Sequence, residues 1–114
     1  MLLVEIAKNN TSFAARSSAV AKLYELNPDN QELFSEIAQN DDDERVRQTT
    51  VARVTNQAVL EKIAKNDESE LVRRMAITSL SNQTVLAEIA ENDESEKARQ
   101  IAKMRLERLE KLKE

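Results

Sequence analysis

The sequence contains no cysteine, no histidine, no glycine and no tryptophan, and its single proline is Pro28. Each absence removes a class of chemistry. Without Cys or His there is no disulfide framework, thiol nucleophile, imidazole base or ordinary zinc site. Without Gly there is neither a phosphate-binding loop nor a dinucleotide fingerprint. The two-residue turns of hairpin-rich β folds also lean on glycine, so an all-α chain is expected. Aromatics are scarce, namely Phe13, Tyr24 and Phe34. No apolar run approaches the ~18 residues of a membrane span. The opening MLLVEIAKNN lacks the basic lead and long apolar core of a signal peptide, so a cytoplasmic location and no membrane are expected.

What is present is a repeat. Ile37, Ile63 and Ile89 open near-identical stretches 26 residues apart, and Ile6 opens a fourth copy 31 residues before Ile37. The first copy therefore carries a five-residue insertion, Tyr24 to Pro28. A fixed period in this range marks a solenoid of stacked supersecondary units and outranks local propensity. At 114 residues the chain is one domain's worth, enough to bury a core if the repeats stack. The expected division is a partial repeat over 1–9, repeats over 10–40, 41–66 and 67–92, and a terminal helix over 93–114.

Eight helices follow from the apolar spacing. Met1 to Asn9 is a short helix with Leu2, Leu3 and Ile6 on one side. It aligns with the second helix of later copies, so it lacks a first-helix partner. Ser12 to Leu26 carries Ala15, Ala19, Leu23 and Leu26, and Asn27-Pro28-Asp29 ends it because proline disfavours helix at the residue before it. First-type helices are then expected over 43–54 and 69–80, and second-type helices over 31–39, 57–65 and 83–91. The aligned Asn30, Asn56 and Asn82 are placed to cap the second helices. Ser95 to Lys113 reads as one uninterrupted helix with a stripe of Ala98, Ala102, Leu106, Leu109 and Leu112, suited to closing a stack.

The sharpest constellation is an acid followed six residues later by an arginine: Asp41 and Arg47, Asp67 and Arg73, Asp93 and Arg99. In the first copy it is Asn10 and Arg16. Here the chain resembles the HEAT repeat family, in particular the short HEAT-like repeats of the phycobilisome-lyase type. The resemblance rests on D-x-x-x-x-V-R-x-x-A/T-V/I-x-x-L/V in DDDERVRQTTVARV and DESELVRRMAITSL. It weakens at DESEKARQIAKMRL, where Ala98 replaces Val and Lys103 replaces an apolar residue. It implies an α-solenoid, a right-handed superhelix of two-helix repeats, with a ladder of such acid–arginine pairs along the stack.

Physics makes the motif sensible. The acid lies just ahead of a helix, where it can accept from free N–H groups and meet the positive end of the dipole. The arginine, almost two turns in, has a fork able to reach the acid of its own or the adjacent repeat. Arg47 and Arg73 are expected to be at least half buried.

No other cluster points to chemistry. Asp41, Asp42, Asp43 and Glu44 lack the alternating oxygen ligands and glycine turn of a calcium loop, so they read as helix-start acids. No carboxylate pair stands out for acid–base work. No catalytic residue, metal or cofactor is assigned. Net charge is −4, the wrong sign for phosphate contacts. The one basic segment, 95–114, holds seven Lys/Arg against four Glu and reads as a solvated helix face, which disfavours nucleic acid.

On the second-helix wall, Glu36, Lys62 and Glu88 form one outward row and Gln39, Lys65 and Glu91 another. Phe13 stands where later copies have Glu44, Glu70 and Glu96, and with Leu2, Leu3 and Ile6 it is a candidate interface for self-association. The function expected from the resemblance is a non-catalytic protein-interaction scaffold, or a fragment of a longer repeat array, with protein partners. The alternatives are an accessory subunit of a lyase or of a nucleic-acid-repair-type helical solenoid, or an engineered repeat protein.

Overall fold

The computed structural model describes residues 2–113, and these residues form eight α-helices with no strand among them. They are α1 (Leu2–Asn9), α2 (Phe13–Leu26), α3 (Gln31–Asn40), α4 (Glu44–Val51), α5 (Gln57–Asn66), α6 (Glu70–Ile77), α7 (Gln83–Asn92) and α8 (Glu96–Lys111). The chain divides into two compact units, one running to Asn56 and one beginning at Gln57.

In the first unit α1 packs on α2, α3 on α4, and α2 on α4. Its core contains Val20, Phe34, Ala38, Val46 and Val51, all shielded from solvent. Thr50 is equally buried, and its hydroxyl is satisfied by donating to Val46 O at 2.7 Å. In the second unit α5 packs on α6, α7 on α8, α6 on α8, and α5 touches α7. Leu60, Val72, Ile77, Leu80 and Leu86 fill that core.

Helix pairing differs from the expected repeat phase. The main partner of each first-type helix is the second-type helix before it, so α1 is not without a neighbour: it lies on α2. The reason is local. The link between those helices is a tight Asx turn, in which Asn10 accepts from Ser12 N (2.9 Å), Asp41 from Asp43 N (2.9 Å), Asp67 from Ser69 N (2.8 Å) and Asp93 from Ser95 N (2.8 Å). A side chain that bonds the backbone two residues on reverses the chain without glycine. No described residue has positive φ.

The N-caps of the first-type helices sit two residues after the motif acids. The N-caps are Ser12, Asp43, Ser69 and Ser95, each accepting from a backbone N–H of the first turn. Asn82 caps α7 through Val85 N, whereas Asn30, following the proline turn, makes no side-chain cap bond. The first-type helices α4 and α6 end three residues before the expected Val54 and Leu80. Arg53 N bonds Thr50 O and Leu80 N bonds Ile77 O, so the last turn tightens to i→i+3 bonding. That winding still buries Val54 and Leu80.

Candidate interaction site

Each motif arginine holds a backbone carbonyl, and Arg16 and Arg73 also hold a carboxylate. One nitrogen, Nη1, donates to the backbone carbonyl six residues earlier: Arg16 to Asn10 (2.6 Å), Arg47 to Asp41 (2.8 Å), Arg73 to Asp67 (2.9 Å) and Arg99 to Asp93 (2.5 Å). In Arg16 and Arg73 the other edge takes the carboxylate of the following copy. Arg16 donates from Nε and Nη2 to Asp41 at 2.9 and 3.1 Å. Arg73 does the same to Asp93 at 3.0 and 3.1 Å. The acid and the arginine that lie six apart in sequence therefore meet through the acid's backbone, while the side chains of Asp41 and Asp93 serve Arg16 and Arg73.

Burial makes these pairs strong determinants of register. Arg47 and Arg73 are each 5% exposed. The Arg73 and Asp93 side chains are both 6% exposed, and those of Arg16 and Asp41 are 13% and 7%. A guanidinium taken from water needs its five donors placed, and the carbonyl plus the two carboxylate oxygens supply acceptors on both edges. Burial pushes the Asp93 carboxyl up, but hydrogen bonds from Arg73 and from Ser95 N outweigh it and hold it below its ordinary value. The Arg16 and Arg73 guanidinium groups are raised by their bonds to Asp41 and Asp93.

Arg99 differs. It is partly buried and anchored by its Nη1 bond to Asp93 O, yet among the described residues no carboxylate lies on its Nε–Nη2 edge. One turn on, Lys103 is exposed at the position where Val20, Val51 and Ile77 are buried.

A second set of bonds joins the same layers and was missed from the sequence. Gln31 accepts from Thr55 N (2.8 Å) and donates to Arg53 O (2.8 Å) and Pro28 O (3.1 Å). Gln57 accepts from Ser81 N (3.0 Å) and donates to Ser79 O (3.0 Å). A glutamine amide here imitates a backbone peptide, with one donor and one acceptor facing a loop. Gln83 occupies the same place in the next copy, but α8 runs straight through the position of the loop. Lys113 then donates to Gln83 Oε1 at 3.1 Å, and Arg105 takes Leu80 O at 2.9 Å. The signal was available: Gln31, Gln57 and Gln83 repeat at the 26-residue period.

Phe13 acquires a physical reason. At the equivalent position in the second unit, Glu70 accepts from the hydroxyl of the next N-cap, Ser95, at 2.6 Å. The N-cap following Phe13 is Asp43 instead, and a glutamate there would face a carboxylate. Arg45 fills the gap, with its guanidinium carbon 3.4 Å from the Phe13 ring centroid while Nε and Nη2 grip Asp43 at 3.0 and 2.8 Å. Those bonds, together with Arg45 N–H, push Asp43 down to about 2. Tyr24 of the insertion packs edge-to-face with Phe34, with centroids 5.7 Å apart, and carries Arg53 over its ring at 5.5 Å.

At the start of the chain, Leu2 is 74% exposed while Leu3 and Ile6 are half-buried. The outward charges of the second-type helices pair diagonally rather than along rows, Lys8 with Glu36 at 3.3 Å and Lys65 with Glu88 at 3.1 Å. Among the described residues no three acidic side chains converge as metal ligands, and no helix is long and apolar enough to cross a membrane. Comparison with protein families, with characterised proteins and with solved structures finds nothing that matches this chain.

Proposed function

We propose that this chain is a non-catalytic interaction scaffold, an α-solenoid of HEAT-like repeats acting in the cytoplasm alone or as a piece of a longer array. The observation that carries this reading is the reuse of one joint. Arg16–Asp41 and Arg73–Asp93 have the same bidentate geometry, and all four motif arginines hold the carbonyl six residues back. The polar groups nearest the core are thus committed to tying helix layers together. Helix exteriors, with exposed Lys62, Lys65 and Glu88, are left as the surface a partner would read.

The test compares the immobilised chain with a version bearing Lys62→Glu, Lys65→Glu and Glu88→Lys, both exposed to a lysate of the native cell. The reading expects polypeptides retained by the first and lost from the second at an equal melting midpoint. Capture indifferent to these changes, or turnover of a small-molecule substrate by the purified chain, overturns it.

Self-association is a second mode, favoured by the exposure of Leu2 beside half-buried Leu3 and Ile6. A closed two-fold contact would cover this patch without building filaments. Phe13 contributes less to it, because Arg45 already covers one face of the ring. Sedimentation over a hundredfold range of concentration, with Leu2→Lys as control, separates a dimer from a strict monomer.

A further inference from the structure

We infer that a groove between the end of α6 and α8 is a socket for Leu26 and its neighbouring acids on a second copy of this chain. The socket lies wholly within the second unit. It is a cavity of about 280 Å³ lined by Thr78, Ile101, Met104, Arg105 and Arg108. Sites that enclose a whole small ligand run to roughly 300–1,000 Å³, so this one takes a side chain of something larger. Its apolar surface comes from half-buried Ile101 and from Met104, which is 66% exposed. An unbranched thioether adapts to the shape of what it meets, which suits it to such a contact.

Charge around the socket has one sign. Arg105 is fixed by Nε to Leu80 O at 2.9 Å, which leaves Nη1 and Nη2 without an acceptor among the described residues. Arg108 has no ion pair among them either. Arg74, one turn before Thr78 on the same side of α6, has a shielded Nε with no acceptor. The acids nearby are spent or lie elsewhere. Glu70, one turn before Arg74, accepts from Ser95 at 2.6 Å. On α8, Ile101, Arg105, Arg108 and Leu112 follow one another at helical spacing. Glu96 and Glu107 share the exposed ridge of Gln100 and Lys111 instead, and Glu110 lies on the far flank with Arg99 and Lys103. The ridge acids decide against a flat anionic membrane, which would meet them before it reached the groove. Nucleic acid gains nothing from Ile101 and Met104, and no aromatic ring is there to stack a base.

The matching plug is on the first unit. Apolar spacing assigns Leu26 to the inner stripe of α2, but the helix ends on it and leaves it 64% exposed. Asp29 and Glu32 follow, both exposed and both without a cation among the described residues. Glu25, just before Leu26, is held only by Lys22 at 3.6 Å, with both side chains largely in solvent. Arg53, the other cation of this corner, is turned to the Tyr24 ring and to Thr49 O. The plug therefore offers one aliphatic side chain among loosely held carboxylates, and the socket an apolar wall among unpaired guanidinium groups. A patch that fits a pocket elsewhere on the same molecule makes a head-to-tail contact, which closes into a ring or grows into chains. With one aliphatic anchor and a rim of solvated charge, the contact is weak and weakens further as salt screens the rim.

The test uses the full chain in two disabled forms, each altered only at exposed residues and checked for folding by circular dichroism. One lacks the plug (Leu26→Ser with Asp29→Asn), and the other lacks the socket (Met104→Ser with Arg108→Glu). The plug-less chain carries 13C-methyl methionine and is titrated at low salt with the unlabelled socket-less chain, so that one plug meets one socket. The expected result is a saturable shift of the Met104 methyl signal, with an affinity several-fold lower in about 0.5 M sodium chloride. Neither disabled chain should self-associate through this contact, whereas their mixture should sediment faster than either alone. A Met104 signal unmoved at millimolar partner overturns the inference, and phosphatidylserine vesicles or an oligonucleotide moving it instead would assign the groove to that ligand. An equal shift from a chain lacking both plug and socket also overturns it. Leu2→Lys in the titrant should leave the shift unchanged; its loss would move the contact to the start of the chain and sink this one. Failure here leaves the scaffold reading standing, because that reading is tested on Lys62, Lys65 and Glu88.

Discussion

Arg73 and Asp93 are joined by two parallel hydrogen bonds, 3.0 Å from Nε to Oδ2 and 3.1 Å from Nη2 to Oδ1, with both side chains 6% exposed. They tie α6 to the turn that starts α8. Removing one member leaves the other charged and shielded, which costs far more than losing a surface pair. Arg73→Ala is expected to lower unfolding free energy by about 2–4 kcal/mol, because Asp93 keeps only its bond from Ser95 N. Arg99→Ala removes a single carbonyl bond and should cost about 1 kcal/mol. Urea denaturation of the two variants checks the difference, and equal losses would contradict the assignment.

The same carboxylates set the acid limit of the fold. Asp93 and Asp43 both titrate lower in the folded chain than in the unfolded one, Asp43 near 2. An acid whose folded value is depressed contributes stability that is complete above its unfolded value of about 4 and lost as pH falls through the folded value. Melting midpoints should therefore hold from neutrality to about pH 4 and then fall as the pH drops toward 2. Asp93→Asn should start from a lower midpoint and decline less over that interval. A decline as steep as that of the unmodified chain would assign the acid sensitivity to other groups.

How much of this was legible beforehand divides along a physical line. Helix number and placement came from apolar spacing, because burial imposes the period on residues such as Leu60, Ile63, Leu86 and Ile89. The acid–arginine spacing was also visible, but alignment by period cannot say which copy a fork will grip. The Asx turn at Asp41 and Asp93 decides that, by spending one carboxylate oxygen on the backbone and turning the side chain toward the preceding first-type helix. Gln57 was hidden because a polar residue opening a helix looks like any solvated position. The Phe13–Arg45–Asp43 group was hidden for the opposite reason: it departs from the repeat, so no period connects its members.

The glutamine bonds give a prediction of their own. Gln57 donates to Ser79 O and accepts from Ser81 N, both at 3.0 Å, so both ends of its amide are used. Gln57→Ala loses these bonds and the one donated by the Ser81 hydroxyl at 3.2 Å, all partly solvated, and should cost about 1 kcal/mol. Gln57→Glu keeps the acceptor but turns the donor into a carboxylate oxygen facing Ser79 O, so it should cost more than the alanine despite its closer shape. Chemical denaturation near neutral pH ranks the two, and a glutamate variant as stable as the parent would remove the clamp.

Lys103 tests whether the outer face of α8 is open. Its counterparts Val20, Val51 and Ile77 are 0%, 2% and 0% exposed, whereas Lys103 is exposed beside Met104, which is 66% exposed. Isoleucine there would restore the repeat's apolar residue without its cover, leaving on the order of 1.5–3 kcal/mol of unrealised burial. Because Lys103 has no ion pair or hydrogen bond among the described residues, the fold loses nothing by the change. The melting midpoint of Lys103→Ile should therefore stay close to that of the parent at low concentration. The new apolar step beside Leu106 should drive association between chains, seen as a sedimentation coefficient that rises with concentration for the variant more steeply than for the parent. Pairing Lys103→Ile with Lys97→Ile, on the same helix but off that stripe, separates a specific face from general stickiness. If the two variants associate equally, the face carrying Arg99 and Lys103 is not a distinct surface.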